Sequence, residues 1–415
     1  MLKIDRICIW IFIISFLFML PSVKHLKFID ELVSCLFLAV ALTDTIINRA
    51  SRKYALLWII IGVISSYAIY SLCILNYNSP EAIISDWIIQ LKPFIPFAVI
   101  FAIRPQLLAI DRYILKIIAL INFLILVIIF LCGEKAIYTY LLHISYFGTG
   151  IMICAMVYLY TSINQDGTIG RDNLAIIVLM LTSGLACTRA KYYATYLFSL
   201  FFLFIYYPGV LKRLSLKYIA LFLSVITAVF IMTWEKFSYY FIFGNSDTFD
   251  PHTIDTYARP VLYFTGAQIM LDHFPLGTGL ASFASYMSGV HYSDVYYEYG
   301  INNIYGLSEQ FPSFICDAFY PSLAQFGIIG LLLFALFWAF IYSKLKYYLC
   351  IDSTTYKYFY VTGVLIILFL MIESIAATTF VQTTGMQCMI MLGILCGNAE
   401  NIYQDQKSDC YVNQQ

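Results

Sequence analysis

The sequence predicts an all-α polytopic membrane protein, and three observations carry that prediction. Of 415 residues, 61% are hydrophobic and only 12% are charged, far more apolar than a soluble domain of this length. Apolar runs of about 17–21 residues recur along the chain, the length a bilayer core requires. Lys and Arg gather in alternate connections, as they do in cytoplasmic loops. Backbone groups in lipid must be satisfied internally, so runs this long read as helices. A β-barrel would show short alternating segments instead.

The first apolar stretch, ICIWIFIISFLFML, follows Lys3 and Arg6 and resembles a signal peptide. No small-residue cleavage site follows it, so it reads as a retained first span. In all, about twelve spans are expected. They lie near 7–21, 28–47, 55–75, 86–103, 114–132, 144–161, 174–188, 192–208, 218–234, 321–342, 358–375 and 380–397. Only CTRAK separates the seventh from the eighth. Residues 1–234 hold the first nine spans, 235–320 form one large loop, 321–397 hold the last three, and 398–415 are a polar tail. With the N-terminus cytoplasmic, one side of the membrane receives about 16 basic residues and the other about 7. Both termini are therefore expected in the cytoplasm and the large loop outside.

Several functions are excluded by what the chain lacks. Its net charge is +0 and no basic run exists, which argues against nucleic acid. The cysteines fall mostly inside apolar runs and include no CxxC pair, so no disulfide framework is expected. There is no phosphate-binding Gly-rich loop, no Asp-x-Asp, and no histidine spacing suited to a metal. No metal or cofactor is expected.

Connections between helices are usually short, so a loop this long suggests function. It is rich in Tyr and carries Asp247, Asp250, Asp255, Asp272, Asp294, Glu298 and Asp317. Within it, RPVLYFTGAQIMLDHF has helical spacing, with Pro260 in an early-turn position, and PLGTG ends the helix. Three cations lie on the same outer side near membrane level: Lys92, Arg189 and Arg259. Arg offers a planar fork that matches phosphate oxygens, and Lys adds a point charge. Lys92 lies roughly 9 Å into its span, where it also fits a lysine that snorkels or pairs with a carboxylate. Arg189 and Arg259, taken singly, also fit solvated surface charges. The tyrosines offer flat faces with hydroxyl handles, suited to sugar rings or to an interfacial belt.

The chain resembles the superfamily of Wzy-type O-antigen polymerases and O-antigen ligases. Many helices with one large late periplasmic loop carry the resemblance. So do CTRAKYYATYLFSL and RPVLYFTGAQIMLDHFPLGTGLASF, similar to the family's Arg-bearing helix followed by Pro and a Gly-x-Gly turn. Family ligases have His-Asn or His-Ser, nine residues, then Gly-x-x-Gly. Here that frame reads Cys316-Asp317, nine residues, then Gly327-Ile-Ile-Gly330. The ligase His is absent, which sets the chain nearer the polymerases.

The resemblance implies a GT-C-like bundle in the bacterial inner membrane. It implies a polymerase that joins undecaprenyl-diphosphate-linked repeat units at the periplasmic face, without a metal. The alternatives are a ligase that moves glycan onto lipid A core, or a polysaccharide flippase or transporter. Implied partners are the lipid-linked donor and acceptor oligosaccharides, membrane lipid, and a chain-length regulator protein. The expected site has Asp317, Arg189 and Arg259 as catalytic residues, with Asp317 or Asp272 as the proton acceptor. Lys92, Asp272, Tyr263, Gly277 and Gly279 are expected at the substrate.

Overall fold

The computed structural model describes residues 4–22, 26, 28–206 and 257–412, with scattered positions between 220 and 238. The expected span at 218–234 lies largely outside these residues, as do Asp247, Asp250 and Asp255. Among the described residues the chain is helical, without a strand. The principal helices are α1 (Ile4–Leu17), α2 (Ile29–Asn48), α3 (Ala55–Tyr70), α4 (Pro80–Leu91), α5 (Phe94–Ile103), α6 (Ala109–Leu131) and α7 (Ile144–Thr161). They continue as α8 (Arg171–Ser183), α9 (Ala190–Leu200), α10 (Ala258–Asp272), α11 (Gly327–Asp352), α12 (Lys357–Glu373) and α13 (Thr383–Val412).

Among the described residues, five helical segments are long and apolar enough to cross a bilayer: Ser51–Leu75, Pro80–Ile103, Ala109–Leu131, Ile144–Thr161 and Tyr320–Asp352. The protein is membrane-embedded and helical. In Ile144–Thr161, 83% of the residues are buried, against 22% in the most apolar part of Ser51–Leu75. Helix α7 is thus a central column, and α3 faces outward, where Ile59 and Ile69 expose their side chains. Glycines let helices meet closely without a side chain between them. A Cβ on Gly393 of α13 would lie 3.0 Å from the Phe97 carbonyl oxygen of α5.

Local sequence sets the helix ends. Ser79 caps α4 by accepting from the Ala82 N–H, and Pro80 follows in the first turn, where a missing N–H costs nothing. The apolar run expected near 86–103 is not one helix. It is α4 and α5, meeting at Lys92 and Pro93, because proline cannot supply the next helical N–H.

Residues 257–326 fold onto one end of the bundle around their own core, which includes Leu262, Ile269, Phe283, Val295, Tyr296 and Ile315. The glycine motifs clasp this unit to the membrane helices. Gly277 and Gly327 have φ of +74° and +58°, a region open to glycine at no steric cost. A Cβ on Gly327 would lie 2.4 Å from the Gly277 nitrogen, and one on Gly277 would lie 2.2 Å from the Ala324 carbonyl oxygen. Gly277 and Gly327 are therefore required by backbone-to-backbone contact. Gly279, with φ of +79°, donates its N–H to the Gln325 carbonyl at 2.8 Å. The next two N–H groups go to Ser71 Oγ and Asp86 Oδ2, at 2.7 and 2.8 Å. Asn78 adds bonds to the carbonyls of Ala281 and His291.

Candidate functional site

Three helices begin at the same end of the bundle and bring their first residues together. His143 precedes α7, Arg189 precedes α9, and Arg259 lies in the first turn of α10. His143 and Arg189 each follow a residue with left-handed backbone: φ is +62° at Leu142 and +52° at Thr188. That region is costly for a bulky or β-branched side chain, and here it turns both side chains off their helix starts. Helix N-termini carry partial positive charge and unpaired N–H groups, so the local field favours an anion.

The side chains form three pairs. Arg259 Nη2 bonds to Asp317 Oδ2, an ion pair between α10 and the turn before Tyr320. Arg189 Nη2 lies 2.7 Å from His143 Nε2. Lys191, in the first turn of α9, pairs with Glu373 at 2.6 Å and reaches the Ala376 carbonyl at 3.3 Å. The connection from α12 to α13 joins the Lys191 pair to the elements that carry Arg259 and Asp317. Tyr263 donates to the Ile375 carbonyl at 2.8 Å, and the Phe319 N–H donates to the Ser374 carbonyl at 3.0 Å. The charges sense one another. Burial, with Arg189 and Lys191 nearby, lowers the His143 pKa from its ordinary value, while Asp317 pulls it the other way. Burial raises the Tyr263 pKa in a field that includes Arg259 and Asp317.

The expected site residues divide accordingly. Arg189, Arg259, Asp317 and Tyr263 are brought to one end of the bundle. Lys92 has different company: its Nζ is 2.7 Å from Asp30 and 2.8 Å from Glu31, so its charge is balanced where the fourth apolar run breaks. Asp272 accepts from the Tyr299 hydroxyl at 3.1 Å and lines a separate open cleft with Gln268, His273, Glu298 and Tyr299. From Arg259 to Asp272 the helix rises roughly 20 Å, which separates that carboxylate from the arginines. Gly277 and Gly279 form the clasp already described. Cys316 is mostly buried, and burial beside Asp317 raises its thiol pKa, so it is a poor source of thiolate. Among the described residues, no group of three or more His, Cys, Asp or Glu side chains is gathered as a metal site.

The tyrosines of the loop serve several purposes. Tyr296 is fully buried and bonds to the Ala284 N–H and Ser288 Oγ. Tyr292 donates to the Leu307 carbonyl at 2.6 Å. Tyr305 is exposed and stacks on Phe311 at 4.8 Å, an open aromatic face.

Sequence reading passes over His143 and Glu373. Each stands at the end of an apolar run on the side expected to hold Arg189 and Arg259, and that shared side is the only signal for them. The fold and this cluster define a class: a helical membrane protein with a charged site at the ends of its helices. Compared with protein-family models and with curated proteins, the chain matches none of them.

Proposed function

We propose that this protein is a membrane-embedded glycosyltransferase that polymerises saccharide repeat units carried on a lipid diphosphate. One observation supports the reading above others. Arg189, Lys191 and Arg259 gather near a carboxylate, Asp317, at the end of a bundle of apolar helices. A lipid-linked diphosphate needs that combination: cations at the membrane surface and an apolar belt for its tail. The full reading has about twelve spans, with both termini in the cytoplasm and the cluster at the periplasmic face of a bacterial inner membrane.

In the proposed reaction a hydroxyl of the acceptor unit attacks the anomeric carbon of the donor glycan. The new carbon–oxygen bond forms as the bond from that carbon to the diphosphate breaks, and the electron pair leaves with the phosphate oxygen. Arg189 and Arg259 stabilise the charge that develops there. The attacking hydroxyl loses its proton to Asp317. Arg259 and Asp317 start as partners, so the arriving diphosphate competes for the guanidinium and frees the carboxylate for that role. Tyr305 and Phe311 offer a face on which a sugar ring can stack.

The test is glycan profiling of a deletion strain complemented with wild-type or variant protein. Loss of polymerase leaves single repeat units attached to core and single-repeat glycolipid on the outer face. Polymer stranded on the lipid carrier would instead indicate a ligase, and single-repeat glycolipid held on the inner face a flippase.

A further inference from the structure

The contacts of His143 do not satisfy one another. Its Nδ1 accepts the backbone N–H of Ser145 at 3.2 Å. Its Nε2 faces Arg189 Nη2 at 2.7 Å. Both neighbours are donors: a backbone amide has only its N–H to give, and a guanidinium accepts nothing. A neutral imidazole has one acceptor nitrogen and one N–H, so the ring can serve only one of them. The Ser145 N–H is fixed by the first turn of α7 and takes Nδ1. The ring proton then belongs on Nε2, where it points at another N–H. Among the described residues the Arg189 side chain meets this neutral ring and no carboxylate, whereas Lys191 and Arg259 each have an acidic partner.

We propose that His143 Nε2–H and Arg189 form a two-donor subsite for one phosphate group of the lipid diphosphate. An anionic oxygen set beside the pair accepts from both, removes the donor–donor conflict, and neutralises the arginine. His143 is then a binding residue in its neutral, Nε2-protonated form, and no proton moves. The surroundings favour that form, since burial and the charges of Arg189 and Lys191 oppose a second proton on the ring. This inference rests on the lipid-diphosphate reading above and adds a ligand to it.

The experiment uses full-length protein in nanodiscs, with 15N-labelled histidine and three probes: geranylgeranyl diphosphate, inorganic pyrophosphate and geranylgeraniol. The expected result is saturable binding of the diphosphate, an Nε2–H tautomer for His143, and a shift of its 15N resonances at saturation. His143→Ala and Arg189→Ala should each weaken binding by on the order of tenfold, as loss of a charge-assisted hydrogen bond does. His143→Gln, whose amide can donate from a similar place, should recover part of it. Tighter binding of the lipid diphosphate than of pyrophosphate assigns the subsite to a lipid headgroup. Equal binding assigns it to the anion alone, and both results support the two-donor pair. Unchanged affinity in His143→Ala alongside a loss in Arg189→Ala would overturn the inference and leave the lipid-diphosphate reading standing. An Nδ1–H tautomer in the bound state would overturn it on wild-type protein alone. No binding of either diphosphate probe removes both.

Discussion

Arg259 and Asp317, 58 residues apart, form an ion pair at the end of the helix bundle. Their side chains are 22% and 37% exposed, which places the pair among solvent-screened bridges worth about 0–1 kcal/mol. Its loss should not unfold the protein. That separates a structural role from a chemical one. Arg259→Gln and Asp317→Asn should each insert and melt as wild type does, while polymer falls by on the order of 10²-fold or more. The exchanged pair Arg259→Asp with Asp317→Arg keeps a bridge but reverses both chemical roles. Polymer profiling should find it inactive. Recovery of polymer by the exchange would reduce the pair to a tether.

Arg189→Lys retains the charge and loses the planar fork. Polymer should drop by about 10²-fold, the scale seen when one transition-state donor is removed, with normal amounts of protein in the membrane. The conservative change matters because Lys191 already supplies a nearby ammonium, held by Glu373 at 2.6 Å. Near-normal polymer from Arg189→Ala would rule the residue out.

The pKa of His143 is lowered in the fold by burial and by Arg189 and Lys191. The unfolded chain takes up a proton at this ring near pH 6.5, and the folded protein resists it. Stability is therefore fully present above about pH 6.5 and is lost as pH falls below it, until the folded ring also protonates. Thermal midpoints measured from pH 8 to pH 5 should fall, and His143→Gln should flatten that fall. A midpoint for wild type and variant that declines in parallel would show that the proton goes elsewhere.

The glycine clasp makes a stability prediction with an internal control. Gly300 has φ of +65° and nothing within 4 Å of an added Cβ, so Gly300→Ala meets backbone strain alone, about 1–2 kcal/mol. Gly277→Ala meets the same strain and a clash with the Ala324 carbonyl, whose relief adds about 1–3 kcal/mol. The ordering of melting temperatures should be wild type, Gly300→Ala, Gly277→Ala, read by fluorescence size-exclusion after heating. Equal loss from both alanines would mean that the clasp can open without cost.

Lys92 holds two carboxylates where α4 meets α5. Lys92→Met leaves Asp30 buried without its cation, a change that costs about 3–5 kcal/mol, and low protein levels should follow. Adding Asp30→Asn and Glu31→Gln removes the stranded charge and should restore insertion. Polymer production by this triple variant then decides the residue: normal polymer makes Lys92 a structural cation, and its absence at normal protein levels returns Lys92 to the substrate site.

What the sequence determined by itself is local. Bilayer-length apolar runs become helices because each backbone group finds its partner four residues away, and Ile144–Thr161 starts and ends where the run at 144–161 does. The PLGTG turn could be recognised as the end of a helix, but Gly277 reads there as a substrate residue, and its backbone contact with Gly327 appears only in the fold. The chemistry of Arg189 and Arg259 could be stated from residue type alone. Only the tertiary structure decided who meets whom. His143 and Arg189 are 46 residues apart, and Lys191 and Glu373 are 182 apart. Such meetings depend on which helix ends are neighbours in the packed bundle, and no short stretch of chain encodes that. The same cause separates Asp272 from Asp317: both are acids of one loop, but α10 is a rigid rod that holds Asp272 roughly 20 Å along its axis from Arg259.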